Sequence, residues 1–193
     1  MPALRQRRRR EGRSVRVVAT SLAGAFLIET DRFEDERGLF ERAFAPAGVE
    51  ALGPLGAIDL IAVSSNRSRG TLRGMHYQTA PHEQKKLVRC TRGTICDVIV
   101  DMRPDSSTYR RWEAFHLAAS DPRLLFIPVG FAHGFQTLED ASDVTYVIWG
   151  RHEPAAERGV RYDDPSLRIV WPLDASVLSQ RDASFPLLTE VLP

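Results

Sequence analysis

Short β-prone runs recur along this chain at regular intervals, and Gly, Pro and Asp residues break nearly all of them apart. Val15, Val17 and Val18 begin the series, and residues 26–28 and 58–63 follow. Residues 86–88 and 95–100 flank Arg92-Gly93, which is a hairpin signature. Residues 113–117 and 124–127 flank Asp121-Pro122, and residues 132–136 and 144–149 complete the set. Asp35-Glu36-Arg37-Gly38 is a further turn signal between apolar stretches. Runs this short leave little room for long helices, so the pattern predicts an all-β sandwich, barrel or jelly roll. Helix is expected only at the periphery, near residues 46–52 and near the C-terminus.

Length and charge narrow the reading. A chain of 193 residues suits one domain with a sizeable core. Arg5, Arg7, Arg8, Arg9, Arg10 and Arg13 crowd the start. Residues 1–14 are therefore read as a basic, disordered tail and 15–193 as a single domain. The net charge of +1 gives no overall bias toward nucleic acid, and the basic run has no interleaved aromatics. No apolar run is long enough to span a membrane, and no signal core follows the arginines. The expectation is a cytoplasmic protein with neither nucleic acid nor membrane as partner. Cys90 and Cys96 are too few for a disulfide framework or a zinc site and read as small apolar packers.

One stretch concentrates reactive side chains. Arg73-Gly74-Met75-His76-Tyr77-Gln78 precedes Gln84-Lys85-Lys86-Leu87-Val88-Arg89. Histidine can take a proton near neutrality. Lysine and arginine can hold a developing oxyanion or a phosphate. Together these are the parts needed to abstract a proton beside a carbonyl on a phosphorylated substrate.

Five segments, in order, carry a resemblance: FEDERGLF, SSNRSRGTLRGMHYQ, QKKLVRCTRGTICDVIVDMR, FIPVGFAHGFQTLED and YDDPSLRIVWP. The chain resembles the dTDP-4-dehydrorhamnose 3,5-epimerase family from about Phe33 to Pro186. The resemblance implies a jelly-roll or cupin β-sandwich barrel and an isomerase acting on a dTDP-linked 4-keto-6-deoxy sugar. It implies His76 as base, Asp182 as its carboxylate partner, Tyr146 as acid on the opposite face and Lys86 near the sugar carbonyl. Arg73 and Arg37 match positions that contact the nucleotide diphosphate. His133 matches another active-site histidine, and Gln78 and Asn66 stand in the same motifs as substrate-binding candidates. His152 takes the place of a family tyrosine, six residues after Tyr146, and joins the candidates there. A homodimer with an exchanged N-terminal strand is implied as well.

The chemistry agrees with those roles. A 4-keto group acidifies the hydrogens at C3 and C5, since the carbanion delocalises into an enolate. Inversion needs a base on one face and an acid on the other. The expected product of dTDP-4-dehydro-6-deoxyglucose is dTDP-4-dehydrorhamnose. A C3-only epimerase or ketoisomerase is the alternative within the class, and a non-catalytic sugar-nucleotide or small-ligand binding cupin the alternative outside it. No cofactor is expected. No metal is expected either, because His76, His82, His116, His133 and His152 form no His-x-His pair.

Overall fold

The computed structural model describes residues 15–44 and 49–191. The arginine-rich tail and Pro46, where a helix was expected to begin, lie outside them. Fourteen strands run in chain order: β1 (Arg16–Ala19), β2 (Phe26–Glu29), β3 (Arg32–Asp35), β4 (Gly38–Glu41), β5 (Leu60–Asn66), β6 (Thr71–Gln78), β7 (Lys85–Arg92), β8 (Thr94–Asp101), β9 (Trp112–Ala118), β10 (Arg123–Ile127), β11 (Phe131–Thr137), β12 (Ser142–Trp149), β13 (Glu157–Gly159) and β14 (Val177–Leu178). Two short helices close the chain, α1 (Gln180–Ala183) and α2 (Leu188–Val191). In the expected helix near residues 46–52, the described part is a single 3-10 turn at Glu50–Leu52.

The strands form two six-stranded sheets and a hairpin. One sheet has the order β1-β2-β10-β7-β12-β5. The other has the order β13-β6-β11-β8-β9, with β14 added parallel to β6. The β3–β4 hairpin stands outside both. Every other pairing is antiparallel. This is the β-sandwich of a jelly roll, as the strand spacing predicts.

Alternation along the strands puts the core between the sheets. Val88, Cys90, Leu125, Ile127 and Val144 of the first sheet meet Ile95, Ile99, Phe115, Leu117 and Phe135 of the second. Each such side chain contributes about 1.5–3 kcal/mol by burial. The outer faces are covered too, which a simple sandwich would not require. Phe44, Val49, Leu52 and Leu55 lie over Ile28, Leu87, Leu124, Phe126 and Trp149. Val160, Leu167, Ile169, Trp171 and Leu188 lie over Cys96, Val98 and Val100. All eight residues of β8 are buried for this reason. Both cysteines are buried and unpaired, and burial pushes each thiol up to about 11.

Candidate active site

The site begins with an irregularity in β6. Side chains on a regular strand alternate faces, so Arg73 and His76, three apart, should point oppositely. Both nevertheless line one cavity. Across to β11, His133 pairs His76 but Phe135 pairs Arg73, so β6 carries one residue more than its partner over this span. That bulge reverses the alternation. Gly74 supplies it, with φ at +125°, a region that side chains rarely enter. A Cβ on Gly74 would stand 2.5 Å from Gly134 Cα and 2.8 Å from the His133 carbonyl oxygen. Met75 turns outward into the covered face, and His76 turns inward.

Asp182 reaches His76 from the far end of the chain. Ser179 caps α1, its hydroxyl accepting from the Asp182 N–H at 3.0 Å. His76 Nε2 lies 2.9 Å from Asp182 Oδ1, and the Gly74 N–H donates to Oδ2 at 3.1 Å. Asp182 is buried, which alone would push its carboxyl up. The hydrogen bonds from His76 and the Gly74 N–H outweigh that and hold it below the usual range. A carboxylate only accepts, so Nε2 carries the proton and Nδ1 presents a lone pair.

The opposite wall comes from the other sheet. The cavity, of about 300 Å³, is lined by Arg73, His76, His133 and Phe135 on one side. Lys86 of β7 and Tyr146 and Ile148 of β12 stand on the other, with Ala62 and Gln84. Burial lowers the Lys86 ammonium, and the charges of Asp97 and Glu157 only partly restore it. Burial and then Asp97 push the Tyr146 phenol far upward, with Arg73 opposing. His133 Nε2 bonds both oxygens of the buried Asp97, at 3.0 and 2.9 Å, and its ring meets Tyr146 edge-on at 6.1 Å. A neighbouring cavity of about 350 Å³ shares Arg73 and His76 and adds Ser179, Arg181 and Asp182.

His76, Asp182, Tyr146, Lys86, Arg73 and His133 are thus brought together. The other four candidates stand outside both cavities. Asn66 is buried behind Arg73: its Oδ1 accepts from Arg73 Nε at 2.8 Å, while its Nδ2 donates to the Ser64 and Ser142 carbonyls. Gln78 spends its amide on backbone, donating to the His82 and Arg151 carbonyls and accepting from the Glu153 N–H. Those last two bonds pin the loop that carries the exposed His152. Arg37 sits exposed on the β3–β4 turn, paired with Asp35. Asp97, Gln84 and Arg181 are site residues that motif reading did not single out. Among the described residues, no three of His, Cys, Asp and Glu converge as a metal site, and no helix is long and apolar enough to cross a membrane.

The chain has relatives among known proteins. Residues 19–190 match the family model described as dTDP-4-dehydrorhamnose 3,5-epimerase. The dTDP-4-dehydrorhamnose 3,5-epimerase of Methanothermobacter thermautotrophicus is 40% identical, over 91% of this chain and 95% of its own. The Bacillus anthracis enzyme of that name, solved with TDP and PPi bound, superimposes with a TM-score of 0.87 at 37% identity. That match covers 91% of this chain and 100% of the other. A Legionella pneumophila dTDP-6-deoxy-D-glucose-3,5-epimerase in complex with dTDP-4-keto-L-rhamnose gives 0.85 at 35%, covering 93% and 97%.

Proposed function

The chain belongs to the dTDP-4-dehydrorhamnose 3,5-epimerase family, and from that premise we propose how its residues carry out the isomerisation. The reaction inverts C3 and C5 of a dTDP-linked 4-keto-6-deoxy sugar, turning dTDP-4-dehydro-6-deoxyglucose into dTDP-4-dehydrorhamnose. The observation that carries the reading is the pairing of His76, on one sheet, with Asp182 of α1, facing Tyr146 and Lys86 on the other sheet.

His76 Nδ1 takes the proton beside the ketone, and Asp182 stabilises the imidazolium that forms. Lys86 stands by the carbonyl oxygen and balances the enolate charge. Tyr146, a phenol that is protonated at neutral pH, returns a proton from the opposite face. Arg73, with Nε held by Asn66, offers its two terminal nitrogens to the diphosphate. His133, on its buried carboxylate, is placed to contact the sugar.

A homodimer acting in the cytoplasm completes the proposal. Two apolar features support the dimer. On the β3–β4 hairpin, Leu39 and Phe40 are 51% and 68% exposed. On β5, whose outer edge has no neighbour among the described residues, Ile61 and Val63 are each 62% exposed. Their burial by a second copy would carry Arg37 with the hairpin.

The test is turnover of dTDP-4-dehydro-6-deoxyglucose in deuterium oxide, with C3 and C5 followed separately by proton NMR. Label and inversion at both centres are expected. Inversion at C3 alone would reduce the activity to a monoepimerase. Binding without any exchange would leave a sugar-nucleotide binder.

A further inference from the structure

Phe185 is an aromatic that the core does not use. It is only partly buried and belongs to none of the three apolar clusters. Its ring instead meets His76, centroid to centroid at 5.5 Å with the planes 73° apart. The Arg181 guanidinium lies over the same ring at 5.7 Å.

One face of the ring rests on a gap. Gly159 of β13 is the cross-strand partner of His76. A Cβ on Gly159 would lie 2.5 Å from each of Phe185 Cδ1, Cδ2 and Cε1. Equal distances to carbons on both sides of the ring mean that the ring lies flat over the Gly159 backbone. The contact exists because residue 159 has no side chain.

Asp182 and Phe185 leave the same short stretch of chain, three residues apart, and both end on one imidazole. The carboxylate fixes which nitrogen holds the proton, but one hydrogen bond leaves the ring free to swing about it. A second contact on the ring removes that freedom. We infer that Phe185 is a positioning residue, which holds the plane of the His76 imidazole from a shelf formed by Gly159. The inference rests on His76 being the base.

The arrangement predicts a loss in turnover rather than in binding, since Phe185 lines neither cavity. Phe185→Ala should lower kcat about tenfold or more with KM unchanged, and Phe185→Tyr should restore it. Gly159→Ala, which displaces the ring while leaving Phe185 in place, should reproduce the loss. The double variant should be no worse than either single one, because both act through one contact. Melting curves identify the folded variants, and Gly159→Ala with Phe185→Tyr reads the contact if Phe185→Ala does not fold. Wild-type kcat in a folded Phe185→Ala or Gly159→Ala protein overturns the inference. So does a rise in KM at constant kcat, or full additivity in the double variant. Failure of the base assignment would show separately, as undiminished proton exchange in His76→Ala.

Discussion

β8 carries two buried carboxylates on one inward face, four residues apart, and they are used in opposite ways. Asp101 is saturated. It accepts from the Arg103 backbone N–H, from Arg103 Nε and Nη2, and from the hydroxyls of Ser106 and Thr108. Burial would raise its carboxyl, but these donors hold it down at about 2. Asp97 meets one titratable partner, His133, and its charge also acts on Lys86 and Tyr146 across the cavity. A carboxylate surrounded by donors from its own loop fixes backbone. One left at a cavity acts, second to burial, on Lys86 and Tyr146 across it.

The strongest challenge to that division lies on the cavity side. His76→Ala should cut kcat by about 10³-fold or more while leaving the melting temperature nearly unchanged. Near wild-type turnover would mean that the unsaturated groups are not the chemistry. Tyr146→Phe should follow, with inversion slowed about 10²-fold but label still entering in deuterium oxide. Inversion at both centres at the wild-type rate would remove tyrosine as the acid.

Asp97→Asn sharpens the comparison directly. It removes a charge that favours the Lys86 ammonium, so Lys86 should lose its proton at lower pH than in the wild type. The alkaline limb of the kcat profile should move down, with a loss of about tenfold at neutral pH. The raised Tyr146 phenol cannot supply that limb. An unmoved limb would separate Asp97 from Lys86.

Asp101→Asn is the smallest effect and the counterpart. Its folded pKa lies below the unfolded one, so its contribution is complete above about pH 4 and is lost as pH falls through about 2. The substitution should cost about 2 kcal/mol of stability at neutral pH, read by denaturant melts, with the difference shrinking in acid. Its kcat should match the wild type. A kcat loss in folded protein would erase the distinction between the two carboxylates.

Much of this was legible in the sequence, and the limits have physical causes. The nine runs all became strand or strand edge, because short β-prone segments set between Gly, Pro and Asp turns leave little room for anything else. β13 and β14 are three and two residues long and leave no periodic trace. The β3–β4 hairpin showed only its turn, since Leu39 and Phe40 are exposed and join none of the apolar clusters among the described residues. His76 was found from its motif, but period-two reading would have set Arg73 on the opposite face, and Gly74 is what brings them together. Asp97 looks like any polar residue in an alternating strand until the fold puts Lys86 opposite. Asn66 and Gln78 carry the right chemistry for a ligand, and the structure spends it on Arg73 and on the 151–153 backbone.

The link between His76 and Asp182 spans 106 residues, and it bears on how the molecule is made. During synthesis both sheets have nearly all their strands once β12 and β13 emerge. His76 then still lacks Asp182, and Cys96, Val98 and Val100 still lack Leu188 over them. On the proposed roles, a polypeptide clipped or released between residues 160 and 181 should therefore be both slow in turnover and adhesive. The partner of His76 and the cover of that apolar flank arrive together with residues 182–188, so turnover should report that this stretch is in place.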